Sequence, residues 1–118
     1  MKNKTLWDSI RCAAKGIAYA LKTEKNFKYY TVIALLFLVV NLCMGVGLLQ
    51  HVIYFLVCCL VFGMEFLNTA IEHLVNSAYK EFDPEAGRIK DMAAGAVLIM
   101  GLGFFFMEGI YVAMAILK

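Results

Sequence analysis

The chain has 118 residues, of which 63% are hydrophobic, with a formal net charge of +2 and a mean hydropathy of +0.76. That composition excludes an ordinary soluble protein and leaves room for one membrane domain, 1–118, with no repeat and no second unit. The four cysteines, Cys12, Cys43, Cys58 and Cys59, have no ligand spacing and three lie in apolar runs, which argues against a disulfide framework or zinc site and for small core hydrophobes.

Before residue 29 stand seven basic residues, Lys2, Lys4, Arg11, Lys15, Lys22, Lys25 and Lys28, with no continuous apolar run, so a retained N-terminus is expected rather than a cleaved signal. Within 5–24 the apolar residues Trp7, Ile10, Ala14, Ile17 and Leu21 recur at 3,4,3,4 spacing, while Asp8, Arg11, Lys15 and Lys22 take other faces. This predicts an amphipathic helix on the membrane surface, with Trp7 at headgroup level. The hinge that follows, KTEKNFKYY, holds Glu24. The residues alone allow an exposed carboxylate with Lys28 at i+4, or a ligand at the membrane boundary.

The first span is expected at 31–49, with Asn41, Gly45 and Gly47 interrupting its outer end. The GVG there is too weak a signal for a nucleotide loop and suits chain reversal. The second span, 52–75, carries the stretch MEFLNTAIEHLVNSA (64–78), which places acids in an otherwise apolar segment. At 100° per residue, Asn68 lies about −60° and Glu72 about −20° from Glu65, and Asn76 about +20°, so the four share one face. Each acid in a membrane helix costs roughly 2.5–3.5 kcal/mol on insertion scales, which implies a compensating cation, partner or water-filled site. Glu65 and Glu72 are roughly 10.5 Å apart along the axis, too far for one ion from one straight helix, so separate roles are expected. His73, about 100° from Glu72, reads as an interfacial polar residue.

Residues 76–91, NSAYKEFDPEAGRIKD, read as one long polar connection containing the only proline, Pro84, with Glu81, Asp83, Glu85, Arg88, Lys90 and Asp91. Asp91 fits the N-cap of a third span at 92–117. That span opens with Ala93, Ala94, Gly95 and Ala96, small residues that permit a tight bundle or oligomer. Glu108 lies far from the acidic stripe; it is expected to be protonated, paired or facing an outer opening, and not to act in catalysis. The Lys/Arg distribution places the N-terminus and the second loop in the cytoplasm and the C-terminus outside the cell membrane.

Carboxylates at a membrane boundary beside a loop with Lys and Asp suit phosphoryl transfer from a magnesium nucleotide to a lipid hydroxyl. A small proton-coupled transporter would also bury acids, and a structural membrane subunit would need fewer. No nucleic-acid partner is expected.

The segments TEKNF (23–27), EFLNTAIEH (65–73) and GRIKDMAAGAVL (87–98), in this order and separation, are similar to the prokaryotic diacylglycerol kinase and undecaprenol kinase family. The resemblance runs from about residue 7 through nearly the whole chain. It implies an all-α homotrimer of three-span protomers, each with an N-terminal surface helix, and active sites shared between protomers. It further implies Glu65 as general base, Glu24 and Glu72 as Mg²⁺ ligands bridging to ATP, and Asn68 as support. Lys90 and Asp91 match the nucleotide-binding pair, and Glu81 and Asp83 fall by register in the loop that approaches the nucleotide. Asn76 departs from the Asp that many members carry, and Glu108 from an expected neutral residue. The forms NTAIEH and E-x-N-F resemble the undecaprenol kinase branch, so undecaprenol is the expected acceptor, with diacylglycerol as the alternative.

Overall fold

The computed structural model describes residues 5–118 and contains helices α1 (Leu6–Thr23), α2 (Asn26–Met44), α3 (Leu48–Ala78) and α4 (Pro84–Ile116). Helix α1 starts where Thr5 accepts a 3.1 Å bond from the Asp8 amide, which satisfies one of the donors a helix start leaves open. It ends at Glu24, whose extended backbone turns the chain into α2.

Helix α2 stops at Gly45, whose φ of 67° is a left-handed conformation that a side chain would strain. The Gly45 and Val46 amides bond back to Leu42 and Asn41, closing the last turn in a Schellman arrangement. The expected first span, 31–49, therefore runs past this reversal: its last two residues, Leu48 and Leu49, already belong to α3.

The long polar connection expected at 76–91 is much shorter. Residues 76–78 still belong to α3 and α4 begins at Pro84, leaving only 79–83 between them. The reason is local. Asp83 accepts a 2.8 Å bond from the Glu85 amide, Pro84 takes the first helical position, where its missing N–H costs nothing, and Glu85 sits in the first turn, where the helix dipole favours an acid. Asp91 is consequently not an N-cap; it lies two turns inside α4, and Asp83 holds that role.

Helices α3 and α4 pack as an antiparallel pair, with α2 against both. Tyr54, Phe104, Met107 and Tyr111 form the buried core, flanked by Phe37, Leu38, Val57 and Val61. The two core tyrosines spend their hydroxyls on backbone carbonyls, Tyr54 on Ala34 and Tyr111 on Gln50, so neither leaves a polar group stranded. A second aromatic group ties the start of α2 to α3: Phe27, 1% exposed, lies 4.3 Å from the Phe66 ring centroid.

Most of the apolar surface points outward. Leu35, Leu36, Val39, Leu42, Leu98, Leu102 and Phe106 are exposed, and so are Cys43 and Cys59, which are therefore not core residues of a single chain. Helices α2, α3 and α4 are each long and apolar enough to cross a membrane, and a helix satisfies its own backbone in lipid. This is a membrane protein. The 31 residues of α3 and 33 of α4 span roughly 46 and 50 Å against about 30 Å of hydrocarbon. Both must emerge from the membrane, and the end joined by 79–83 is where their charged residues gather.

Candidate functional site

The acidic stripe of α3 folds as its periodicity predicts. Glu65 is buried to 2% exposure and Asn68 is also buried, whereas Glu72, one to two turns nearer the charged end, is partly open. The Asn68 amide nitrogen is shared between them, 3.1 Å from Glu72 Oε1 and 3.4 Å from Glu65 Oε1. It donates to both carboxylates, firmly to Glu72 and at long range to Glu65. Its own Oδ1 is buried without a partner, an acceptor still open inside the stripe.

Side chains outside α3 meet the helix on either side of this group. Glu24, at the end of α1, lies 3.6 Å from His73 Nε2 rather than turning to Lys28, and Tyr19 meets the same imidazole edge-on. The contact brings the hinge carboxylate beside the last turns of α3, at the residue that follows Glu72 in sequence. From α2, the Tyr30 ring lies nearly parallel to that of Phe62 on α3, with centroids 6.3 Å apart. Sequence reasoning had His73 as an interfacial polar residue and missed its contact with Glu24.

The remaining expected residues form a separate group. Glu81, Asp83 and Lys90 line a cavity of about 190 Å³ beside the α3–α4 turn, together with Asn76, Tyr79 and Phe82. Asn76 thus turns towards this cavity rather than completing the stripe. Asp83 spends one carboxylate oxygen on its helix cap, while Phe82 is 93% exposed, a bare aromatic ring at the rim. Lys90 is half-buried at the wall and Asp91 is exposed one residue on.

Among the described residues, no three His, Cys, Asp or Glu side chains gather as a self-sufficient metal site. Magnesium does not need one, since it commonly binds one or two carboxylates and completes its shell with water and substrate phosphates. Glu24 and Glu72 offer hard oxygen donors of that kind, and both sit at the charged end of α3.

Glu108 stands apart. It is 3% exposed and accepts a 2.8 Å bond from Asn41 Nδ2, linking α4 to α2 near the opposite end of the bundle. Glu108 Oε2 and Asn41 Oδ1 are both buried without partners. It is paired within the bundle and does not face an opening.

A family profile described as Prokaryotic diacylglycerol kinase matches residues 11–112. An undecaprenol kinase of Bacillus subtilis (strain 168) is 34% identical over 90 residues, covering 76% of this chain and 73% of that protein. A diacylglycerol kinase of Synechocystis sp. (strain ATCC 27184 / PCC 6803 / Kazusa) is 31% identical over 102 residues, covering 86% of this chain and 58% of that protein. A diacylglycerol kinase of Escherichia coli (strain K12) is 35% identical over 85 residues, covering 72% of this chain and 70% of its own length.

Proposed function

The chain belongs to the prokaryotic diacylglycerol kinase family and is a lipid kinase, and from that premise we propose that it transfers the terminal phosphate of ATP to the hydroxyl of undecaprenol. The observation that carries the mechanism is the graded stripe on α3: a carboxylate buried among apolar groups at Glu65, and a partly open one at Glu72, with Glu24 held against the neighbouring His73.

Glu65 takes the proton from the lipid hydroxyl as its oxygen bonds to the γ-phosphorus, and the bond from that phosphorus to the ADP oxygen breaks. A buried base suits this step because the alcohol arrives from the lipid phase, where water cannot compete for it. Glu24 and Glu72 would hold Mg²⁺, which when bound neutralises phosphate charge. Lys90 offsets the same charge from the cavity beside the α3–α4 turn, where Glu81 and Asp83 orient the nucleotide, and Asp91 assists from the exposed position one residue on. Asn68 keeps Glu65 and Glu72 in one file.

The single domain 1–118 lies with α1 on the cytoplasmic membrane surface, Leu6, Trp7, Ile10, Ile17 and Leu21 meeting lipid. The N-terminus and 79–83 are cytoplasmic and the C-terminus is outside. Three copies associate through the outward apolar faces, so that the nucleotide group and the stripe need not come from one protomer. The wide apolar exposure of α2 and α4 supports that assembly, since lipid or another copy must cover it.

The choice of undecaprenol rests on the forms TEKNF and NTAIEH. Diacylglycerol is the second reading, favoured by the name of the matching family and by the Synechocystis and Escherichia coli relatives. Initial rates of purified protein in detergent, with Mg-ATP and a matched panel of the two lipids, separate them. Undecaprenol should be preferred; a clear preference for diacylglycerol would reverse the assignment.

A further inference from the structure

His73 follows Glu72 on α3 but lies about 100° around the helix from it, so it stands outside the file of Glu65, Asn68 and Glu72. It faces the end of α1 instead. Its Nε2 is 3.6 Å from Glu24 Oε2, and the Tyr19 ring meets the imidazole edge-on, with centroids 6.4 Å apart. Both partners are fixed from their own side. Thr23 Oγ1 donates a 2.9 Å bond to the Tyr19 carbonyl, and the Glu24 amide donates a 3.0 Å bond to the carbonyl of Ala20, the one buried residue of α1. The last turn of α1 therefore straddles a single side chain of α3. Glu24 ends that turn in an extended conformation, and only Lys25 separates it from α2. A carboxylate at such a hinge has many orientations open to it unless another element holds it.

We infer that His73 is a positioning residue: it holds the Glu24 carboxylate against the charged end of α3, so that the hinge is already ordered when Mg²⁺ arrives. The length of the contact suits that task. At 3.6 Å it is longer than a direct hydrogen bond, so it guides one carboxylate oxygen without saturating the group, and the side chain stays 32% exposed. Groups behind a metal ligand commonly act in this way, fixing its orientation and raising affinity without touching the ion. The inference rests on the proposed role of Glu24 as a magnesium ligand.

The test uses full-length protein in detergent micelles. His73→Phe keeps a ring for Tyr19 and removes the nitrogen that faces Glu24, whereas His73→Gln keeps an N–H donor. We expect His73→Phe to raise the Mg²⁺ concentration for half-maximal rate about threefold to fivefold, as loss of a half-exposed charged contact would. The kcat at saturating Mg²⁺, the KM for the lipid alcohol and the unfolding midpoint should be unchanged, and His73→Gln should lie close to wild type. Amide hydrogen exchange of the metal-free protein gives a readout that needs neither metal nor turnover: residues 24–26 should exchange faster in His73→Phe. In the Glu24→Gln background, His73→Phe should add nothing, because its effect passes through Glu24. A wild-type Mg²⁺ curve or unchanged hinge exchange in His73→Phe, or a further shift in the double variant, would overturn the positioning role. So would a lowered midpoint with kcat reduced at saturating Mg²⁺, which would mark His73 as a packing residue only. Glu24→Gln alone separates the two levels: a normal Mg²⁺ curve there removes Glu24 from the metal site, whereas a shifted curve with His73→Phe silent removes only His73.

Discussion

Glu65 and Glu108 are buried almost equally, at 2% and 3% exposure, in helices that pack against each other, yet their surroundings differ. Glu65 belongs to a series: Asn68 and Glu72 follow it along α3, and Glu24 meets His73 at the charged end of that helix. Glu108 has one hydrogen-bond partner, Asn41, and core aromatic residues around it. The lesson is that burial alone does not mark a reactive acid. On the proposed reading a reactive acid also needs polar company leading to the charged end of the bundle, which Glu65 has through Asn68 and Glu72.

The contrast can be broken or sharpened in graded steps. Chelating Mg²⁺ should abolish phosphoryl transfer while leaving the Glu108–Asn41 end intact, as judged by an unchanged unfolding midpoint; transfer that persists in excess chelator would remove the metal from the account. Next, Glu24→Gln and Glu72→Gln should each raise the Mg²⁺ concentration for half-maximal rate about tenfold or more, since each deletes one of few anionic ligands. Titration of rate against Mg²⁺ reads this directly, and a normal curve in either variant would take that residue out of the metal site.

At the other end the expected readout is stability. Glu108→Leu strands the buried Asn41 amide and should cost about 1–3 kcal/mol in unfolding, with the rate per folded molecule near wild type. Smaller still is the effect of Glu108→Gln. Its carbonyl keeps the bond from Asn41 Nδ2 and its new amide can donate to the unpartnered Asn41 Oδ1, so stability should hold or rise slightly. A large loss would show that the second carboxylate oxygen has a partner that the amide cannot replace.

The two glutamates also differ in how far the sequence disclosed them. Glu65, Asn68 and Glu72 lie within two turns of one helix, and helical periodicity alone puts them on one face. Glu108 and Asn41 are 67 positions apart, and no local pattern pairs them. The same distinction explains the other differences. Glu24 looked like a partner for Lys28 because sequence proximity favours i,i+4 pairs, but the turn after α1 swings it to His73.

The polar stretch before α4 was misread for a different reason. Its charge density and its proline suggested a loop, yet Asp83, Pro84 and Glu85 together are a helix start, with cap, first-turn proline and dipole-matched acid in consecutive positions. Reading that signal would have put Lys90 and Asp91 inside the helix, as the structure does. The three long apolar helices were legible from composition, because a chain this hydrophobic must place its backbone in helices to enter lipid.

The central claim is that the reactive carboxylate is Glu65, and it is tested most directly by assaying Glu65→Gln and Glu108→Gln side by side for transfer of the ATP γ-phosphate to undecaprenol. Both substitutions remove one buried acid and preserve side-chain shape. The account predicts a loss of about 10²–10⁴-fold for Glu65→Gln, the usual contribution of a general base, with Glu108→Gln near the wild-type rate. Comparable rates in the two variants, or a loss confined to Glu108→Gln, would contradict it.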